Sequence, residues 1–127
     1  MTFSFGTKSK ERLKGVHPDL VKVLEEAIKE SPLDFSITEG LRTKERQKAL
    51  FDAGKSQTMN SRHLTGKAVD IAVIKDGEVT WDFKYYQLVA DHIKAVAKKL
   101  DVPITWGGDW TSFRDGPHVE LNRSKYP

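Results

Sequence analysis

The stretch Ser61–Ile71, SRHLTGKAVDI, decides how the rest of the chain is read. It runs on through Val73, and in this run Val69, Ile71 and Val73 alternate with Ala68, Asp70 and Ala72. Side chains of a β-strand point alternately to opposite faces, so the three branched residues form a core-facing set. The other set places a carboxylate between two small residues, which predicts open space above the sheet on that side. His63 lies just upstream of Asp70. Two ligands of one tetrahedral zinc ion hold their donor atoms only ~3–3.5 Å apart, because each metal–ligand bond is near ~2 Å. A helix would separate residues spaced like His63 and Asp70 by ~10 Å, and a straight strand by more than ~20 Å. The chain must therefore fold back between them if both serve one ion. Thr65-Gly66 provides the means, because glycine accepts backbone angles closed to other residues.

Outward from this stretch the elements alternate without repeating. HPDLVKVLEEAIKES carries Leu20, Val23, Leu24, Ala27 and Ile28 at helical spacing, with Pro18 suited to a first turn. DFSITEG reads as a short strand with Phe35 and Ile37 on one face. TKERQKALFDAG reads as a helix capped by Thr43 and stopped at Gly54. The polar KSQTMNSR reads as a loop. KAVDIAVIKDGEVTW is predicted to be a hairpin turning at Asp76-Gly77. DFKYYQLVADHIKAVAKKL is the longest helix, with Pro103 beyond its end. ITW and HVEL are two further short strands, separated by the glycine-rich GGDW. Helices interleaved with antiparallel strands, lacking a βαβ rhythm, predict an α+β fold in one small domain with a central antiparallel sheet.

The chain has 127 residues, enough for one compact domain that buries a core without disulfides. It contains no cysteine, which excludes a disulfide framework, a thiolate zinc site and a cysteine nucleophile. The N-terminal MTFSFGTKSKERLK lacks an apolar leader core, and no apolar run approaches the ~20 residues of a membrane span. The expectation is a soluble chain made in the cytosol, without membrane insertion. The net charge is +3, with 21 Lys and Arg against 18 Asp and Glu. That balance suits an anionic partner. No basic block or basic helix punctuated by aromatics points to nucleic acid.

A third ligand has to come from another histidine. There are four histidines in the chain. His17 precedes Pro18 and reads as a cap or surface residue, and His92 sits inside the longest helix, where it packs or faces solvent. His118 opens HVEL; with Val119 and Leu121 facing the core, His118 and Glu120 project to the side of Asp70. Asp115-Gly116-Pro117 is turn chemistry that could bring an acid over the site. Two histidines and a carboxylate, with one position left to water, is the donor set of a catalytic zinc site.

The pattern Ser61-x-His63-x-x-Gly66-x-Ala68-x-Asp70, with Asp115-x-x-His118 far downstream, resembles the zinc motif of the LAS metallopeptidases. This group includes the D-Ala-D-Ala metallopeptidases, vancomycin-resistance D,D-peptidases, lysostaphin-type enzymes and the hedgehog domain. GLRTKERQKALF resembles the segment before the first ligand in the D-Ala-D-Ala branch. The similarity extends through FSFGTKSKERLKGVHPDLVKV and WGGDW, and is closest to phage endolysins of the L-alanyl-D-glutamate peptidase type. The resemblance implies one Zn2+ per chain on His63, Asp70 and His118, with Asp115 as general base. Glu120 is the rival base or a partner that orients a ligand. Arg42 would bind a substrate carboxylate or the oxyanion, with Gln47 and Ser61 also at the substrate.

As a whole, residues 1–127 are expected to form a monomeric zinc peptidase catalytic domain with no separate cell-wall-binding domain. The expected substrate is the L-Ala–D-Glu bond of peptidoglycan stem peptides, with host lysis as the outcome. The chain would stay in the host cytoplasm until a holin permeabilises the membrane. Two alternatives remain open: a zinc D,D-carboxypeptidase acting on D-Ala-D-Ala termini, and a non-catalytic zinc-containing binding module. Asp115 and Arg42 argue against the second, since a structural metal needs neither.

Overall fold

The structure is a computed structural model, and it describes residues 3–56, 61–111 and 114–127. Helix α1 (Thr7–Arg12) and helix α2 (Pro18–Lys29) are followed by strand β1 (Asp34–Glu39) and helix α3 (Lys44–Asp52). Next come a 3-10 turn at Arg62–Thr65, the hairpin β2 (Ala68–Lys75) and β3 (Glu78–Thr80), and the long helix α4 (Phe83–Lys99). Strand β4 (Ile104–Trp106), a second 3-10 turn (Gly107–Asp109) and β5 (His118–Leu121) close the fold. Residues 57–60, within the polar stretch expected as a loop, lie outside the described residues.

The local signals act where they were expected. Pro18 stands in the first turn of α2, and the His17 ring caps it by accepting a hydrogen bond from the Asp19 N–H at 3.1 Å. Thr43 caps α3 through the Arg46 N–H. The β2–β3 turn places Asp76 at φ 53° and Gly77 at φ 81°, the twisted two-residue hairpin turn that Asp-Gly favours. Helix α1 was not anticipated, because TKSKER has no apolar stripe and too few residues to show a period.

The five strands form one antiparallel sheet in the order β1-β2-β5-β4, with β3 extending the pairing of β2. One face carries Phe35, Ile37, Val69, Ile71, Val73, Val119 and Leu121 into a core shared with the apolar stripes of α2 and α4. His92 joins those two helices by bonding its Nε2 to the Ala27 carbonyl at 2.8 Å. The opposite face departs from expectation in one respect. Ala68 and Ala72 are both buried, so the space above the sheet opens at Asp70 alone.

Chain reversal between His63 and Asp70 depends on Gly66. Its φ is 70°, its carbonyl receives the His17 N–H at 2.7 Å, and a Cβ there would lie 2.3 Å from the Gly15 carbonyl oxygen. Gly77 has a similar φ of 81° but open space where a Cβ would go. Gly66→Ala is therefore expected to lower stability by about 2–4 kcal/mol, combining the left-handed backbone with overpacking. Gly77→Ala should cost only about 1 kcal/mol. Urea denaturation of both variants checks this, and equal losses would show that the Gly15 contact relaxes freely.

Candidate metal centre and active site

Asp70 on β2 and His118 on β5 are direct partners across the antiparallel ladder, which sets their side chains next to each other on one face. His63 reaches the same point from the turn Arg62–Thr65, whose capping Ser61 Oγ accepts the His63 N–H at 3.2 Å. Asp70 Oδ1 lies 3.3 Å from His63 Nε2 and 3.4 Å from His118 Nδ1. The three donor atoms all fall within 4.8 Å of one another. The two closer separations are those of neighbouring ligands on one tetrahedral ion.

The surroundings fit a cation at this point. Asp70 Oδ1 is buried and has no hydrogen-bond partner among the described residues, although buried polar atoms are normally paired. Both imidazoles are held by their far nitrogens. His63 Nδ1 is 2.9 Å from the Gly40 carbonyl, and His118 Nε2 is 2.8 Å from Glu120 Oε1. A proton on each of these far nitrogens would leave His63 Nε2 and His118 Nδ1, once any proton there is displaced, to bind a cation beside Asp70 Oδ1. Outer partners of this kind fix the tautomer of metal-binding histidines. His63, Asp70 and His118 together could therefore hold a metal ion.

Glu120 is almost fully buried and heads a supporting network. Its Oε2 accepts from Arg123 Nε at 3.2 Å and lies 3.6 Å from Arg62 Nε. Arg62 Nη2 in turn donates to the carbonyls of Leu121 at 3.1 Å and Tyr126 at 2.6 Å. Burial works to raise the Glu120 carboxyl, but His118 and Arg123 outweigh it and hold the group below its ordinary value. Burial likewise opposes ionised Asp70, yet the facing His118 and His63 rings keep it well below the usual carboxylate range.

Asp115 lines the same cleft, an open space of about 850 Å³ that also contains the three candidate ligands. It stands on a tight turn in which its carbonyl accepts the His118 N–H at 3.1 Å. Trp106, buried behind the turn, donates Nε1–H to the Gly116 carbonyl at 2.7 Å. Gly107 packs so close that a Cβ there would meet the Asp115 carbonyl oxygen at 2.4 Å. The GGDW segment thus supports the turn, and Trp110 brings its ring to 5.0 Å from that of His118. Burial, and then the charge of Asp70, push the Asp115 carboxyl above its ordinary value. A carboxylate shifted upward is a stronger base near neutral pH.

The expected substrate contacts are placed differently from one another. Ser61 lines the cleft. Arg42 also lines it, but its guanidinium is already forked onto Glu39 at 2.9 and 2.7 Å and donates to Gln47 Oε1 at 2.7 Å. The same group lies 3.7 Å from Asp70 Oδ2, and the Arg42 N–H bonds the His63 carbonyl at 2.9 Å. Arg42 thus braces two of the candidate ligands. Gln47 is completely buried: its Oε1 accepts from Arg42, and its amide N–H donates to Ser56 Oγ at 2.8 Å. Sequence reasoning missed Glu39, Gly40, Arg62 and Arg123. Only the Glu39-x-x-Arg42 charge spacing gave a signal for any of them.

The family model for phage L-alanyl-D-glutamate peptidases matches residues 1–123. The L-alanyl-D-glutamate peptidase of Escherichia phage T5 is 33% identical over 130 residues, an alignment covering 99% of this chain and 94% of the phage protein. The crystal structure of the Serratia marcescens L-Ala D-Glu endopeptidase ChiX matches with a TM-score of 0.92 and 43% identity, covering 99% of this chain and 95% of that one. The vancomycin-resistance D,D-dipeptidase VanXYg shares the fold at a TM-score of 0.55 and 17% identity, over 84% of this chain and 50% of its own.

His118 lies between two carboxylates. Burial opposes its charged form, but Asp70 and Glu120 outweigh that and raise the metal-free ring to about 9. The sign follows directly: the ring carries its extra proton below that value and loses it above, and a metal must displace it. Metal affinity is therefore expected to rise by about tenfold per pH unit between roughly pH 6.5 and 9, with release of a proton on binding. Competition titrations across that range would contradict the arrangement if the affinity stayed flat.

Proposed function

The chain belongs to the phage L-alanyl-D-glutamate peptidase family, and we propose that it is a zinc-dependent endopeptidase cutting the L-Ala–D-Glu bond of peptidoglycan stem peptides. The convergence of His63 Nε2, Asp70 Oδ1 and His118 Nδ1 beside Asp115 carries this reading. Two imidazoles and one carboxylate, with a position left to water, is a donor set of catalytic zinc sites, which supports zinc as the metal.

When bound there, zinc would lower the pKa of water and polarise the scissile carbonyl. The remaining steps fall to the chain itself. Asp115 accepts a proton from the attacking water and passes it to the departing nitrogen of D-Glu. Glu120 keeps the His118 ring oriented, and the Gly40 carbonyl does the same for His63. Arg42, at the cleft wall, holds Asp70 and the His63 backbone in register. The pairing of Glu120 with His118, Arg62 and Arg123 supports reading it as an orienting group and Asp115 as the base.

Passage of the enzyme from the host cytoplasm to the wall would depend on a membrane-permeabilising partner such as a holin, with lysis of the host as the result. A monomer suffices for the site, because all of its groups come from one chain.

Mass spectrometry of muropeptides after digestion of purified peptidoglycan tests the reading. The expected products are glycan bearing free L-Ala and stems that begin at D-Glu; release of terminal D-Ala alone would favour a D,D-carboxypeptidase. In the same assay Asp115→Asn should keep its metal and lose activity by about a hundredfold or more. Glu120→Gln should lose less activity but weaken metal binding, by roughly tenfold. The reverse order would move the base to Glu120.

A further inference from the structure

The substrate imposes a requirement that the metal site does not meet. In the stem peptide the chain leaves D-Glu through its γ-carboxyl. The α-carboxylate is therefore free, attached to the carbon that bears the scissile nitrogen. Any productive pose brings that charge close to the metal centre, where an unpaired carboxylate is costly to desolvate.

The cations lining the cleft are not equivalent. The fork of Arg42 is taken by Glu39. Arg62 is only 11% exposed in its side chain, and its Nη2 is bonded to two carbonyls. Arg114 donates Nε–H to the Gly108 carbonyl and lies over the Phe83 ring at 4.2 Å. Lys55, beyond the end of α3, offers a compact charge on a flexible stem and not a fork.

Arg114 and Arg123 each tie down Nε alone, but Arg114 spreads its guanidinium on the Phe83 ring, whereas Arg123 is held by the carboxylate that also holds His118. The Arg123 side chain is 68% exposed, it lines the cleft, and Nε alone is tied down, at Glu120 Oε2. The other oxygen of the same carboxylate holds the candidate ligand His118. The guanidinium is thus anchored at the cleft wall on the outer side of His118, with both terminal nitrogens without a partner among the described residues. Glu120 is shared between Arg62 and Arg123, which leaves this corner of the cleft with a surplus of positive charge.

We propose that Arg123 is a substrate-binding residue that recognises the free α-carboxylate of D-Glu on the leaving side of the scissile amide. The proposal rests on the L-Ala–D-Glu reading above. A planar fork held at one edge and free at the other suits a bidentate carboxylate. The anchor on Glu120 reduces the ordering required on binding. It also links specificity to chemistry, because the carboxylate that steadies Arg123 also orients His118.

The test uses two synthetic stem peptides, one with D-Glu and one with its α-carboxyl amidated, and the zinc-loaded full chain. The wild type is expected to prefer the free carboxylate. Arg123→Gln should lower kcat/KM for that substrate by about ten- to a hundredfold, the scale of a charged hydrogen bond. The change should fall mainly in KM, the amidated peptide should lose far less, and Arg123→Lys should recover part of the preference. A wild type without preference, or a preference untouched in Arg123→Gln, overturns the proposal. Equal loss on both peptides, with reduced zinc content, also overturns it by showing that Arg123 acts only through Glu120. Failure of the wild type to cut either peptide between L-Ala and D-Glu overturns the underlying reading, and the proposal with it.

Discussion

The cross-strand pairing of Asp70 with His118 is the contact on which the site depends. Antiparallel register sets the two side chains on the same face at neighbouring positions, and the turn through Gly66 returns His63 to meet them. A slip of one residue in β2 would turn Asp70 into the core and bring Val69 or Ile71 to the cleft. The apolar alternation of β2 prevents that slip. The forces that bury Val69, Ile71 and Val73 therefore also aim the carboxylate, and fold and chemistry are specified by one strand.

Around that point the chain buries several charges, each with a partner. Glu39 is matched by Arg42, and Glu120 by His118, Arg62 and Arg123. Such pairs add little net stability, but removing one member leaves a buried charge uncompensated, at a cost of about 3–5 kcal/mol. Their value lies in position. Arg42 connects Asp70 to the His63 backbone, and Arg62 connects Glu120 to the carbonyls of Leu121 and Tyr126. Two buried atoms among the described residues have no hydrogen bond, Arg62 Nε, which faces Glu120 at 3.6 Å, and Asp70 Oδ1, where a cation would supply the partner.

Much of this was legible in the sequence because it rests on short-range rules. Period-two alternation identified β2 and the shared side of His118 and Glu120, and cap residues located α2 and α3. The remainder depends on contacts between distant segments. Gln47 sits in a helix with a weak apolar pattern, so nothing local announces that it is buried. The Gly40 carbonyl that orients His63 is backbone and leaves no mark on residue type. Residue type alone does not separate a cleft-wall tryptophan from a packing one, and Trp106 is a buried prop for the Asp115 turn. Arg42 stood out through the resemblance of GLRTKERQKALF, and the Glu39-x-x-Arg42 spacing hinted at its ion pair. Its bracing of Asp70 and the His63 backbone, however, joins segments too distant to read locally.

The central claim is that these residues form one metal centre with defined ligand atoms. Crystallography of the zinc-soaked protein, with anomalous scattering at the zinc edge, tests it most directly. The account predicts one zinc ion bound by His63 Nε2, Asp70 Oδ1 and His118 Nδ1 at about 2.0–2.2 Å, with the contacts from Gly40 and Glu120 retained. Zinc bound elsewhere, or reached by His118 through Nε2 after release from Glu120, would contradict it.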